Sequence, residues 1–358
     1  MKKTAFFLVF SLFLLVFCAC KEAEAGVSPE ITSENVTSGE KYEGDKTGYF
    51  GAMYVMLDRT PEWHKVVTGE PIISEYDLNR IDGSTATIPI TAELLRQFYG
   101  YSDEKIKGCA QVWHSTTHKA YLCLVDKMNK ARWLAALYPA QPMEGAYECS
   151  TDIIFVTPPS EEELSYAEEK GVTLDMDAVA MDGFVFITHK NNPVESLTVQ
   201  QVKDIYSGKV TNWKDIGGED LPIIAFQREP NSGSQTAMEK LVMQGEMLMP
   251  AIETKIQGMS ELIDAVAEYK NDSASIGYTY KYYMNNLYKN ENIKIINING
   301  VTPENENLLS KAYPFATSYY AIIRGDEPED SPARKLRDYL LIDEGQEVIK
   351  MAGYCGIK

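Results

Sequence analysis

Three short segments of the sequence place hydroxyl side chains directly before a helical pattern. The first contains Ser84 and Thr85 and leads to Pro89, a residue favoured in the first turn of a helix. The second is the run Ser115 to Thr117, and the third is Asn231-Ser-Gly-Ser. A helix N-terminus carries backbone N–H groups without helical partners, and hydroxyls add neutral donors. Each of these segments therefore has the chemistry of an anion site.

Each segment also has a simpler interpretation, because Ser and Thr are common caps of helix N-termini. Arg228, directly upstream of the third segment, favours the functional one. A guanidinium binds an oxyanion through two parallel hydrogen bonds. The alternative role for Arg228 is an ion pair at the surface or between domains.

The elements that position these segments follow from the alternation of strand and helix patterns after Asp77. The β-rich run that begins at Asp182 precedes a helical pattern in which Thr198 and Gln201 form a capping box and Gly208 supplies the stop. Such alternation predicts α/β domains with mainly parallel sheets.

The N-terminus carries an export signal. Two lysines precede the apolar run 5–16, which is too short for a comfortable membrane span. Ala19 before Cys20 resembles the lipobox of bacterial lipoproteins. We therefore expect residues 1–19 to be a signal peptide and Cys20 to be acylated, with ordinary cleavage beside Cys20 and a soluble secreted protein as the alternative.

Composition limits the remaining possibilities. Residues 20–48 are polar and predict a flexible tether, whereas the apolar segment 49–57 is expected to pack but has no functional interpretation. A net charge of -18 argues against nucleic acid as a partner. Export permits disulfides, and three connectivities are open to the four cysteines Cys109, Cys123, Cys149 and Cys355.

The segment from Asp182 to Val242 carries the strings NPVESLTVQQVKDIYSGKVTNWKDIGG and QREPNSGSQTAMEKLV, which closely resemble the PstS-like phosphate-binding proteins of ABC phosphate importers. The resemblance extends over about residues 78–358. It implies a type II periplasmic-binding-protein fold, in which two α/β lobes are joined by two crossovers and the ligand lies in the cleft. Lobe one would hold residues 78–181 plus 317–358, and lobe two residues 182–316.

The resemblance also implies the phosphate ligands, which are Ser84, Thr85, Thr117, Asp152, Arg228, Ser232, Gly233, Ser234 and Thr317. The carboxylate of Asp152 would accept a hydrogen bond from a proton-bearing phosphate oxygen. Sulfate lacks that proton, so Asp152 would exclude it. The alternative for Asp152 is a structural ion pair with Arg228 or a lysine of lobe one.

By resemblance, the chain is an extracytoplasmic lipoprotein that delivers inorganic phosphate to ABC permeases with their ATPase. It would need no cofactor or metal, and only its lipid anchor would touch the membrane. A binding protein for another tetrahedral oxyanion and a phosphate sensor or adhesin are the alternatives. A phosphohydrolase is disfavoured, because His114 and His118 have a metal-pair spacing without the accompanying Glu, and no Gly-x-Ser-x-Gly motif is present.

Overall fold

The computed structural model describes residues 62–137, 149–250, 256, 258–269 and 273–358. The predictions for the signal peptide 1–19, Cys20, the tether 20–48 and segment 49–57 concern residues outside this described part.

The described strands are β1 (Ile81–Gly83), β2 (Ile153–Val156), β3 (Leu174–His189), β4 (Ser196–Leu197), β5 (Ile224–Ala225), β6 (Ser275–Tyr280), β7 (Ile293–Ile298) and β8 (Ala316–Arg324). They form one sheet with the order β1-β2-β8-β3-β6-β5, and β7 pairs with both β3 and β4.

The long strand β3 belongs to two parts of this sheet. Its residues 174–183 pair antiparallel with β8, which in turn pairs with β2 and then β1. Its residues 184–189 pair antiparallel with β6 and β7. We call β1, β2, β8 and residues 174–183 the first half-sheet, and β5, β6, β7 and residues 184–189 the second half-sheet.

The expectation of mainly parallel sheets was wrong. Parallel pairing is confined to β1 with β2, β4 with β7 and β5 with β6 among the described strands. The other pairs are antiparallel because β3 and β8 run in opposite directions through the centre of the sheet. Such mixed sheets are common in large α/β folds.

The described α-helices cover the two half-sheets. They are Ile88–Tyr99, Asp103–Lys107, Thr117–Val125, Ala131–Leu137, Glu161–Glu169, Val199–Tyr206, Gly233–Ala237, Met259–Ala267, Asn305–Leu309, Pro332–Leu341 and Asp343–Met351.

Two helices confirm the signals read from the sequence. In Ile88–Tyr99, proline lies in the first turn and Gly100 ends the helix at φ 66°. The apolar face of this helix is buried and consists of Ile90, Leu94, Leu95 and Phe98. In Val199–Tyr206, the side chain of Thr198 accepts from the backbone N–H of Gln201, and the side chain of Gln201 accepts from the backbone N–H of Thr198.

The four cysteines Cys109, Cys123, Cys149 and Cys355 are all free thiols in the structure. Among the described residues, no helix has the length and apolar character to cross a membrane.

Asp182 is buried at the point where β3 passes from one half-sheet to the other. Its carboxylate accepts hydrogen bonds from the backbone N–H groups of Gly183 and Tyr282 and from the Tyr319 hydroxyl. Burial nevertheless raises the pKa of Asp182 to about 6. Between about pH 4, where the unfolded carboxyl titrates, and pH 6, the folded protein holds more protons than the unfolded chain.

We therefore expect the contribution of Asp182 to the free energy of unfolding to be largest below about pH 4. This contribution should decline as the pH rises to about 6. In Asp182→Asn this decline should disappear, because the amide does not titrate. Urea unfolding of both proteins at pH 4, 5, 6 and 7 measures the difference. A difference in the free energy of unfolding between wild type and Asp182→Asn that stays constant from pH 4 to pH 7 would contradict the raised pKa of Asp182.

Candidate functional site

A cavity of about 600 Å³ lies where the carboxyl end of β2 meets the third hydroxyl segment. Its lining comes mostly from loops and helix starts that adjoin the two half-sheets. The lining residues are Ser84, Thr85, Ala86, Thr116, Thr117, His118, Lys119, Thr157, Arg228, Glu229, Pro230, Asn231, Ser232, Gly233, Ser234, Gly258, Met259, Ser260, Glu261, Tyr280 and Tyr283.

The first segment is held against the end of β2. The backbone N–H of Ser84 donates to the carbonyl oxygen of Phe155 at 3.0 Å. The hydroxyl of Thr87 donates to the same carbonyl at 2.6 Å. A Cβ on Gly83 would lie 2.3 Å from the Phe155 oxygen, so only glycine permits this approach. Ser84 and Thr85 thereby reach the cavity.

The second segment is tied to the first by two buried side chains. Asp82 accepts from the backbone N–H and the hydroxyl of Ser115. Burial raises the pKa of the Asp82 carboxyl. The Nδ1–H of His114 donates to the Ser84 carbonyl at 2.9 Å, while its Nε2 lies 3.1 Å from the Thr91 hydroxyl. Burial lowers the pKa of His114 to about 3, so the imidazole is neutral and structural.

His114 and His118 do not form the metal pair that the phosphohydrolase alternative requires. His114 faces the buried first segment, whereas Nδ1 of His118 lies 3.0 Å from Oε1 of Glu163 at the cavity edge. This contact with Glu163 raises the pKa of His118. Within the described residues, no three His, Cys, Asp or Glu side chains are grouped to hold a metal ion.

Thr116 and Thr117 enter the cavity at the start of the helix Thr117–Val125. Thr116 has φ 86° and ψ 160°, a conformation that is costly for a β-branched residue. Backbone conformations of this kind persist only where the surrounding structure holds them, and they concentrate at binding sites.

Arg228 is buried three residues after the end of β5, directly before the third segment. Arg228 is 8% exposed, its Nε donates to the Ile256 carbonyl at 3.0 Å, and its Nη1 donates to the Ser234 hydroxyl at 3.3 Å. Loss of hydration lowers the pKa of Arg228, but an arginine remains charged. Ser232 caps the helix Gly233–Ala237 by accepting from the backbone N–H of Gln235.

The two half-sheets are in close contact at this cavity. A Cβ on Gly233 would lie 2.5 Å from Oγ1 of Thr157 and 3.0 Å from Oγ1 of Thr117. Next to it, the Asn231 amide donates to the Glu162 carboxylate. The third segment therefore faces the first half-sheet directly.

The structure brings seven of the nine predicted ligands to the cavity. They are Ser84, Thr85, Thr117, Arg228, Ser232, Gly233 and Ser234. Their placement supports the prediction, and their role as phosphate ligands stays a prediction.

Asp152 is not at the cavity, and its predicted role requires correction. It lies before the first residue of β2, where Nη1 of Arg80 donates to its Oδ2 at 2.7 Å and the Ser150 hydroxyl donates to its Oδ1 at 2.6 Å. Thr157 follows the last residue of the same strand. Five residues of extended chain separate the two by roughly 16 Å. Asp152 forms a structural ion pair, and its partner is Arg80 and not the expected Arg228 or a lysine.

We expect Asp152→Asn to leave anion affinity and the phosphate-to-sulfate ratio unchanged, because the carboxylate is far from the cavity. The half-buried ion pair with Arg80 should cost at most about 1 kcal/mol of stability when broken. Calorimetry and thermal unfolding measure the two quantities. A tenfold change in the affinity ratio would return Asp152 to the site.

Thr317 also lies outside this cavity. It pairs with Asp182 across β3 and β8 and lines a second cavity of about 570 Å³, which is bordered by Lys240 and Lys311. Thr317 therefore lies on the crossover strand β8 and is not among the residues that line the first cavity.

Sequence reasoning missed several lining residues, of which Thr157 is the most informative. It is the residue at the carboxyl end of the buried strand β2. Ligands of α/β sheets bind outside the carboxyl ends of strands, so the end of the run Ile153–Val156 was a signal for this position. Lys119, Tyr280 and Tyr283 had no comparable signal in the sequence.

Comparison with known proteins agrees with this architecture. Residues 74–344 match the family PBP_like_2, described as a PBP superfamily domain. The phosphate-binding protein PstS of Borreliella burgdorferi is 25% identical over 187 residues, which are 50% of this chain and 64% of that protein. The PstS protein of Staphylococcus epidermidis is 28% identical over 204 residues, 55% of this chain and 61% of that protein. The matches thus span less than two thirds of these relatives.

Among solved structures, a phosphate ABC transporter substrate-binding protein with bound phosphate from Clostridium perfringens is similar with a TM-score of 0.54. It is 25% identical, and the alignment covers 78% of this chain and 98% of that chain. This likeness confirms the type II periplasmic-binding-protein fold. Because the family match covers more than half of its length, the chain belongs to the PBP superfamily.

Proposed function

We propose that this chain binds inorganic phosphate in the cavity and delivers it to an ABC importer. The observation that carries the proposal is the convergence of Arg228 with hydroxyl groups from both half-sheets in one cavity.

The chemistry of the cavity suits a small oxyanion. Arg228 supplies a fixed positive charge with a planar pair of donors, and Ser84, Thr85 and Ser234 supply neutral donors. The net charge of -18 does not oppose this, because the nearest groups and not the overall field determine the binding of a small ion.

The comparisons support the same ligand. Both curated relatives are phosphate-binding proteins by name, and the similar Clostridium perfringens structure holds bound phosphate. A PBP-superfamily chain with an export signal and these relatives is expected to work outside the cytoplasm.

We propose further that lobe one (residues 78–181 plus 317–358) and lobe two (residues 182–316) close on the ligand, with the hinge near Met181 and Thr317.

The importer partners would be permease subunits with their ATPase. Cys20 would hold the protein to the outer face of the cytoplasmic membrane through its lipid. Labelling of the wild-type chain but not of Cys20→Ala with radioactive palmitate would support the anchor. Equal labelling of both would refute it.

Titration calorimetry of the purified chain against phosphate, arsenate, sulfate and molybdate tests the ligand. We expect saturable binding of phosphate. Absence of a phosphate signal with a folded protein would refute the proposal. Hydrolysis of a nitrophenyl phosphate that a metal chelator abolishes would favour the phosphohydrolase instead.

A further inference from the structure

Thr157 directly follows the last residue of β2. The residue is 2% exposed and lines the cavity. Its hydroxyl makes no hydrogen bond of acceptable geometry within the described part of the chain, although Tyr280 lies beside it. A buried polar group without a partner is costly, and at Thr157 the cavity gives a bound molecule access to this hydroxyl.

No described carboxylate near the cavity lies buried against it in the way that Thr157 does. Asp152 lies at the other end of β2, and the Asp82 carboxylate is covered by Ser115. Glu229 and Glu261 line the cavity but are not buried, and Glu261 caps the backbone N–H of Gly258. Among the described residues, no buried carboxylate faces the ligand space.

This difference determines which protonation state of an anion the site accepts. A buried carboxylate only accepts hydrogen bonds, so it favours a ligand oxygen that carries a proton. A threonine hydroxyl donates to a fully ionised oxygen and accepts from a protonated one equally well. The described part of the cavity therefore contains no buried acceptor-only group that would select for a ligand proton.

We propose that Thr157 is a direct anion ligand and that, because a hydroxyl stands at this position, the site binds tetrahedral dianions without selecting for a ligand proton. Sulfate and phosphate then bind with affinities within about tenfold of one another. The inference rests on the proposed function and specifies its ligand class. A site that requires the proton would discriminate on the order of 10⁴-fold.

Two variants of Thr157 test the role of the hydroxyl. Thr157→Val keeps the shape and removes the donor, so both anions should bind about tenfold more weakly with an unchanged ratio. Thr157→Asp installs the acceptor-only group, so the ratio of phosphate to sulfate affinity should rise at least tenfold. Calorimetry with sodium phosphate and sodium sulfate at one ionic strength gives both numbers.

Thr151→Val is the matched control. Thr151 is 1% exposed, its hydroxyl also makes no hydrogen bond, and it lies near the opposite end of β2 outside the cavity. Both Val variants remove a buried hydroxyl without a partner, so their effects on stability should be similar. Only Thr157→Val should change the affinities.

The outcomes separate the two proposals. Phosphate binding with a preference over sulfate of more than a thousandfold in the wild type overturns the inference and leaves the proposed function standing. Unchanged affinities in Thr157→Val, with a folded protein, also overturn it. If neither anion binds the wild type, the proposed function and this inference fail together.

Discussion

Arg228→Ala is expected to weaken phosphate binding by about tenfold to a hundredfold while the protein remains folded. A hydrogen bond to a charged group contributes about 1.5 to 3 kcal/mol, and each 1.4 kcal/mol corresponds to a factor of ten in affinity. Arg228 is 8% exposed, so little water screens its charge from a bound anion.

Calorimetry with phosphate measures the loss, and thermal unfolding confirms the fold. Arg228→Lys should recover only part of the affinity, because a lysine keeps the charge but lacks the planar fork of donors. Arg132→Ala serves as the matched control, since Arg132 is exposed and does not line the cavity. Full affinity in a folded Arg228→Ala protein would remove Arg228 from the site.

Gly233→Ala is expected to lower phosphate affinity by roughly fivefold to a hundredfold. A methyl group at this position would lie 2.5 Å from Oγ1 of Thr157 and 3.0 Å from Oγ1 of Thr117. Thr157 is buried and β-branched, so its side chain has little freedom to move away. Overpacking of this kind costs about 1–3 kcal/mol, and here it opposes only the approach of the two half-sheets.

The backbone of Gly233 itself tolerates alanine, because the residue begins a helix and is not among the glycines with positive φ. The fold should therefore persist while closure is impaired. Small-angle scattering with saturating phosphate should show a larger radius of gyration for Gly233→Ala than for the wild type. Gly69→Ala is the control, since no atom lies within 4 Å of its added Cβ. Equal affinity and equal scattering would show that this contact is not part of the bound state.

Local patterns in the sequence predicted the elements well. The capping pair Thr198 and Gln201 and the apolar face of Ile88–Tyr99 depend on neighbours three or four residues apart, so spacing alone reveals them. The direction of strand pairing was not local. Whether β3 pairs parallel or antiparallel with β8 depends on residues more than a hundred positions away, and the expectation of mainly parallel sheets failed there.

The sequence by itself determined the types of donor that the site contains, because Arg228 and the hydroxyl segments are readable as motifs before any fold is known. Only the tertiary structure decided which end of a strand each residue occupies. Asp152 and Thr157 are five residues apart and flank one short strand, yet Asp152 pairs with Arg80 and Thr157 lines the cavity. A strand extends about 3.3 Å per residue, so this small separation in sequence places the two side chains at opposite ends of the strand.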